Sequence, residues 1–210
     1  PQRCAVASKN KLIAFILSLF LVLGVSCTKA HADSLTLDKA QESVYKVLTY
    51  SEGDLTGSGT AWKYAESSFL TAGHVCEDSD KLRLVAVDGR EYPVIATDMV
   101  LNDELDFCFL YAPGVPGAAL PMTLELPPKW GTVMWLGATF GLWGDEGTPG
   151  GFGHYVGGDL FITPGVGPGA SGGPVFTKDG VFGIIIQHGN KAELTSIQPL
   201  WEIYFYVLFN

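Results

Sequence analysis

Glycine placement restricts the fold more than any other feature of this chain. Of the 26 glycines in 210 residues, 18 lie between positions 131 and 189. Glycine destabilises helix interiors and is favoured in tight turns, which argues against long helices in this half of the chain. Between the glycine-rich turns lie apolar pieces of strand length: TVMWLGA, GHYVG, DLFIT, GPVF and VFGIIIQ. Many short strands at this spacing predict an all-β barrel or sandwich.

The preceding part of the chain has the same strand pattern with fewer glycines. SVYKVLTYS alternates apolar and polar residues, GSGTAWKY and SSFLTAGHV follow, and DKLRLVAVDGREYPVIA predicts a hairpin that turns at the Asp-Gly pair 88–89. LDFCFLYA is apolar on both faces, which predicts a buried strand. Five prolines within residues 113–128 indicate a linker. We therefore expect two β lobes, at about 43–112 and 129–190.

Helical spacing of apolar residues appears in the last stretch of the chain. TSIQPLWEIYFYVLFN predicts a terminal helix over about 196–208 that packs on the second lobe, with Ser196 as its N-cap and Pro199 in its first turn. Residues 33–42 are polar, and we expect them to be mobile or to form a short helix.

Residues 1–32 have the layout of a secretory signal peptide. Basic residues precede an uncharged apolar run at 12–27, and Ala-His-Ala at 30–32 fits an A-x-A cleavage site. The run is shorter than the ~20 residues of a spanning helix, which favours cleavage over a retained anchor. We expect a secreted or periplasmic protein without a stable membrane span. A membrane-anchored form, or a lipoprotein attached through Cys27, is the alternative, although Gly24 replaces the usual large aliphatic residue.

Composition after this cleavage disfavours several kinds of partner and cofactor. Nine basic and 22 acidic residues remain, and their net charge of −13 repels phosphate backbones, so nucleic acid is not an expected partner. The remaining histidines, His74, His154 and His188, have no zinc-site spacing with another ligand. We expect no metal and no cofactor. The sequence does not indicate an oligomeric state.

Ser171 lies in an unusually small-residue segment, GPGASGGPVF, at 167–176. A hydrolytic serine requires a base, a carboxylate that orients the base, and backbone N–H groups that bind the oxyanion. Gly169, two residues ahead, allows its own N–H and that of Ser171 to point into one cavity. A glycine-rich turn is by itself equally typical of a tight hairpin.

His74 is the best candidate for the base. It follows a strand-like run in FLTAGHVC and is flanked by small residues. The alternative is a buried histidine that donates to a backbone carbonyl, and His154 and His188 are rival bases. Asp106 is the best candidate carboxylate because it opens the apolar DFCFLY, where an ionised Asp is costly unless it is hydrogen-bonded. The alternative is a solvent-facing Asp at the start of a strand.

These motifs, in the order His, Asp, Ser, resemble the chymotrypsin-fold (trypsin-like) serine peptidases. The resemblance is closest to the HtrA/Deg-type peptidase domain without a PDZ domain, and it spans about residues 43–190. GSGTAW and FLTAGHV resemble the opening strands and histidine motif of that family, LDFCFL its Asp motif, GATFGL the end of a strand in its second lobe, and GPGASGGPVF its nucleophile loop. The resemblance implies two antiparallel β-barrel lobes with a C-terminal helix, in a peptidase domain at 33–210.

The resemblance also implies a role for each site residue in a serine endopeptidase that acts on proteins or peptides. Ser171 attacks the peptide carbonyl, His74 is general base and then general acid, and Asp106 orients His74. The N–H groups of Gly169 and Ser171 form the oxyanion hole. Ala170 stands where digestive relatives have an Asp that pairs with a new N-terminus, so activation by N-terminal insertion is not expected.

The family places its specificity pocket before the serine and on the following strand, which implicates Thr163, Gly165, Ile186 and His188. The segments that would form this pocket carry no acidic residue, which disfavours Arg or Lys and favours a small or aliphatic side chain at the cleavage site. His188 as a ligand for Glu or Gln is a minority interpretation.

Two further questions stay open in the sequence. Cys76 lies two residues after His74, and Cys108 lies two residues after Asp106, so the two cysteines form either a disulfide or two buried free thiols.

The function has two alternatives: a viral or phage peptidase that cleaves a polyprotein or host target, and a catalytically silent relative that binds a partner through the same cleft. The intact Ser171, His74 and Asp106 argue against the silent relative.

Overall fold

The computed structural model describes residues 34–144, 149–157, 161–163, 166–186 and 194–210. The predicted signal peptide, 1–32, lies outside these residues. The strands, in chain order, are β1 Val44–Ser51, β2 Asp54–Ala65, β3 Ser68–Thr71, β4 Lys81–Val85, β5 Glu91–Pro93, β6 Ala96–Leu101, β7 Asp106–Tyr111, β8 Thr132–Leu136, β9 Gly150–Tyr155, β10 Phe161–Thr163, β11 Pro174–Thr177, β12 Gly180–Ile185 and β13 Thr195–Pro199. The helices are α1 Leu37–Gln41, α2 Gly73–Cys76 and α3 Leu200–Phe209, with a 3-10 turn at Thr139–Gly141.

The first lobe is a seven-stranded antiparallel sheet in the order β5-β4-β1-β2-β3-β7-β6. Alternate residues of β1, Tyr45, Val47 and Thr49, are buried, as the sequence pattern predicts for a strand with one face in the core. The hairpin between β4 and β5 turns at the predicted Asp-Gly pair, where Gly89 has φ +79°. This lobe is a half-barrel.

The second lobe is a closed antiparallel barrel in the order β10-β13-β12-β11-β8-β9. Its interior is filled by apolar side chains from all six strands: Val133, Tyr155, Ile162, Val175, Phe182, Ile185 and Ile197. The predicted class, all-β with two antiparallel lobes and a C-terminal helix, is confirmed.

An apolar cluster shared by the two lobes joins them to α3. Trp62 and Phe107 come from the first lobe, Phe176 from the second and Ile203 from α3, and all are buried in one cluster. Because burying apolar area stabilises by roughly 25 cal/mol per Å², this shared core fixes the orientation of the lobes. Any site whose residues come from both lobes depends on it.

The end of the second lobe departs from the prediction. Residues 196–199 continue strand β13 instead of starting a helix, so Ser196 is not an N-cap. Pairing of β13 with β12, at Ile185↔Ile197 and Gly183↔Pro199, outweighs the local helical pattern. Pro199 also disfavours helical backbone in the residue before it, which places the start of α3 at Leu200. The strands of the second lobe therefore extend past position 190.

A disulfide joins Cys76, at the end of α2, to Cys108 in β7, with 6.6 Å between the Cα atoms. Of the two alternatives left by the sequence, the structure contains the disulfide. Within the described residues, no helix has the length and hydropathy needed to cross a membrane.

We expect loss of this disulfide to destabilise the protein without changing its fold. The bridge spans 32 positions of the chain, and removing such a cross-link from the unfolded state costs about 3–4 kcal/mol in the loop-entropy account. The C76S/C108S double variant is compared with the wild type by urea unfolding, with and without reductant. A wild-type free energy of unfolding that is unchanged by reductant contradicts the expectation.

Candidate active site

His74 and Asp106 form a two-point contact at one end of the first lobe. Nδ1 of His74 lies 2.6 Å from Oδ2 of Asp106, and the His74 backbone N–H donates to Oδ1 at 2.9 Å. Helix α2 positions His74, and the start of β7 positions Asp106. Gly73 makes the approach feasible, since a Cβ there would lie 2.9 Å from Oδ1. The contact holds the imidazole in one orientation, with Nε2 directed away from the carboxylate.

Two opposing effects act on the Asp106 carboxyl. Burial alone would raise its pKa, and this is the largest single contribution. Hydrogen bonds from the His74 ring, the His74 amide and the Gly73 amide, together with the charge of His74, outweigh the effect of burial, so the pKa of Asp106 lies below its ordinary value. The carboxylate is therefore ionised at neutral pH, as required of a group that orients and stabilises an imidazolium.

Ser171 is buried in the loop that leads into β11 of the second lobe. Each carbonyl near it has a defined donor: Phe140 N–H to Pro168, Thr60 hydroxyl to Gly169, Gly173 N–H to Ala170, and Thr60 N–H to Ser171. In the part of the chain that the structure describes, the N–H groups of Gly169 and Ser171 donate to no protein acceptor. This is the arrangement expected of an oxyanion hole.

The nucleophile loop lies directly against the strand that leads to His74. A Cβ on Gly172 would collide with the Thr60 carbonyl and the Thr71 hydroxyl and would lie 2.8 Å from the amide nitrogen of Ala72. Ala72 is two residues before His74, so the residue after Ser171 packs against the segment that leads to His74. Gly172 has φ +84°, a second reason why only glycine fits.

The rival residues lie elsewhere. His154 is exposed on β9, where Nδ1 contacts the Trp130 carbonyl at 3.2 Å. Asp98 and Asp103, two other aspartates of the first lobe that could compete with Asp106 as the carboxylate, are exposed. His188 lies outside the described residues.

Two of the four residues expected to line the specificity pocket lie within the described residues. Thr163 ends β10 opposite His154, and Ile186 follows β12 and donates its N–H to Ser196 at 3.1 Å. Gly165 and His188 lie outside the described residues. The pocket therefore stays a prediction.

Two buried polar residues near the site were not found from the sequence. Gln198, 2% exposed on β13, accepts a hydrogen bond from the Asp106 N–H at 3.3 Å and donates to Glu202 on α3. Thr60, fully buried on β2, contacts the nucleophile loop. Each is a polar residue in a strand, and nothing in the neighbouring sequence indicates its partner. Across the residues described, no cluster of His, Cys, Asp and Glu could hold a metal ion.

We expect Gly172→Ala to destabilise the protein by about 2–5 kcal/mol, because the new methyl meets Thr60 and Thr71 and the left-handed backbone adds strain. Gly53→Ala is the matched control: Gly53 has φ +94° but nothing within 4 Å of its Cβ position. It should cost only the backbone strain, about 1–2 kcal/mol. Urea unfolding measures both, and equal losses would show that the loop is not closely packed.

The lowered pKa of Asp106 predicts an acid-dependent loss of stability. A carboxyl whose pKa is depressed in the folded state stabilises the fold above its unfolded pKa of about 4 and loses that contribution as pH falls through the folded value. We therefore expect the free energy of unfolding to fall as the pH is lowered from about 5 through the folded pKa of Asp106, and to fall less in Asp106→Asn. Urea unfolding at several pH values tests this, and identical pH dependence in the two proteins contradicts it.

Comparisons with solved structures identify proteins of the same fold. The active form of the Rv3671c protease from M. tuberculosis superimposes with a TM-score of 0.71 at 18% identity, over 82% of each chain. Its inactive form gives 0.68 at 18% identity, over 82% of this chain and 90% of that one. A serine endoprotease from Yersinia pestis gives 0.67 at 17% identity, over 80% of this chain and 62% of that one. At these identities the likeness establishes the fold.

The family is established from the sequence itself. A search of curated proteins finds no significant match. A model of the trypsin-like peptidase domain, however, matches residues 57–184, more than half of the chain and the whole span from GSGTAW to the strand after Ser171. The chain therefore belongs to the family of trypsin-like peptidase domains.

Proposed function

We propose that the protein is a serine endopeptidase that hydrolyses peptide bonds through Ser171, His74 and Asp106. The observation that carries the proposal is the double contact of the Asp106 carboxylate with the ring and the amide of His74. A buried carboxylate that holds a histidine ring in this way fixes which nitrogen carries the proton. The packing of Gly172 against Ala72 supports the further placement of Ser171 beside that ring.

In the proposed acylation step, Ser171 Oγ attacks the scissile carbonyl carbon while its proton moves to His74 Nε2. Asp106 stabilises the imidazolium through Nδ1 without taking the proton. The N–H groups of Gly169 and Ser171 donate to the developing oxyanion. The tetrahedral intermediate then collapses: His74 gives its proton to the leaving amine, the C–N bond breaks, and the acyl group stays on Ser171.

Deacylation repeats the steps with water. His74 takes a proton from the water, whose oxygen attacks the acyl carbonyl, and the same two N–H groups bind the second oxyanion. His74 then returns the proton to Ser171 Oγ as the new carboxyl group leaves. The proposed chemistry needs only groups that this chain carries.

Ala170 supports a mechanism without N-terminal insertion. It is 1% exposed and closely packed, since a Cβ on Gly137 would lie 2.8 Å from the Ala170 Cα. This position holds an apolar contact and no carboxylate that could bind a new N-terminus. We propose that activity follows folding or ordering of a loop.

We propose that the substrates are peptides with a small or aliphatic residue at the cleavage site, bound near Thr163 and Ile186. We also propose that the protein is exported from the cytoplasm. The disulfide supports export, because such bridges persist in oxidising compartments. The layout of residues 1–32 supports a signal peptide, with 33–210 as the peptidase domain.

The test is hydrolysis of an unfolded protein and of a peptide library, with the products identified by mass. We expect internal cleavage, a loss of about 10⁶-fold in kcat for Ser171→Ala, and a loss of about 10⁴-fold for Asp106→Asn. Ser34→Ala, at an exposed serine before α1, is the control and should match the wild type. Activity that survives Ser171→Ala would exclude the proposal.

A further inference from the structure

Thr60 connects the two lobes at the nucleophile loop through its side chain. The residue lies in β2 of the first lobe and is fully buried. Its hydroxyl donates to the Gly169 carbonyl at 2.7 Å and accepts from the Ala138 N–H at 2.8 Å. Both partners belong to the second lobe. One hydroxyl thus satisfies a buried acceptor and a buried donor of the opposite lobe.

The backbone of Thr60 contacts the same loop. Its N–H donates to the Ser171 carbonyl at 2.8 Å. Its carbonyl accepts from the hydroxyl of Thr71, on the neighbouring strand β3, at 2.6 Å. Thr60 therefore holds the carbonyls of Gly169 and Ser171, the two residues whose N–H groups the proposed mechanism uses. The side chain holds the first carbonyl and the main chain holds the second.

Gly169 is the residue of the loop that most needs such a contact. It has φ +92°, and a residue without Cβ adopts several backbone conformations at similar cost. Because a trans peptide is planar, rotation of the Gly169 carbonyl moves the whole peptide to Ala170. The Gly169 N–H belongs to the preceding peptide, whose Pro168 carbonyl accepts from the Phe140 N–H at 2.7 Å. The Thr60 hydroxyl holds the following peptide, so the two contacts together fix the backbone angles of Gly169 and with them the direction of its N–H.

We propose that the Thr60 hydroxyl is a positioning group that keeps Gly169 in the conformation in which its N–H can donate to the oxyanion. The inference rests on the proposed peptidase function. Being fully buried, Thr60 does not touch the substrate. It acts through the direction of one peptide group, so its removal lowers kcat and leaves KM nearly unchanged.

Thr60→Val and Thr60→Ser separate the hydroxyl from the shape of the side chain. Valine keeps the shape without the hydroxyl, and we expect kcat for a peptide substrate to fall by about 10²-fold, the effect of losing one oxyanion donor. Serine keeps the hydroxyl, and kcat should stay close to that of the wild type. Thr49→Val, at a buried threonine of β1 that contacts Thr56, is the control for a general loss of a buried hydroxyl. If Thr60→Val does not fold, Thr60→Ala replaces it with the same expectation.

Hydrogen exchange gives a second reading that does not depend on activity. The Ala138 N–H loses its acceptor in Thr60→Val, so it should exchange faster than in the wild type, Thr60→Ser or Thr49→Val. Unchanged exchange at Ala138, unchanged kcat in Thr60→Val, or equal losses of kcat in Thr60→Val and Thr49→Val each overturn the inference. A folded wild type that cleaves no peptide would instead refute the peptidase function itself, and with it the catalytic role of Thr60, even if Ala138 exchanges as expected.

Discussion

The contact between the nucleophile loop of the second lobe and strands β2 and β3 of the first is the interaction on which the candidate site depends. His74 and Asp106 belong to one lobe and Ser171 to the other, so neither lobe contains the site alone. The apolar cluster around Trp62, Phe176 and Ile203 sets the orientation of the lobes. Hydrogen bonds at Thr60 and the absence of a side chain at Gly172 then set the loop in detail.

Apolar and polar interactions contribute differently to this interface. Apolar burial is non-directional and stabilises the arrangement without determining where each peptide group points. Buried hydrogen bonds are directional, and leaving one unmade costs roughly 1–3 kcal/mol, so they select one conformation of a glycine-rich loop. The same reasoning applies to Gln198, whose amide links Asp106 in the first lobe to Glu202 on α3.

Local patterns in the sequence were sufficient for most of the fold. Alternation in SVYKVLTYS, the Asp-Gly turn at 88–89 and the prolines at 113–128 predicted strand, hairpin and linker, because each is determined by a few neighbouring residues. The start of the last helix could not be predicted in this way. Residues 196–199 carry a helical pattern, but they pair with strand β12, which lies 12 to 16 positions earlier and outside the local pattern.

The same distinction holds for the site. His74, Asp106 and Ser171 stand in recognisable motifs, because each must be surrounded by small or apolar neighbours along the chain. Thr60 and Gln198 are polar residues in strands, and their importance comes only from partners 109 and 92 positions away. A single sequence contains no local trace of such pairs.

The most direct test of the central claim, that the fold activates Ser171 through His74, is labelling with a fluorophosphonate probe followed by peptide mapping. The account predicts one adduct per folded molecule, located on Ser171, and none on the urea-unfolded protein. A well-folded protein that takes up no probe, or takes it up on another serine, would contradict the account.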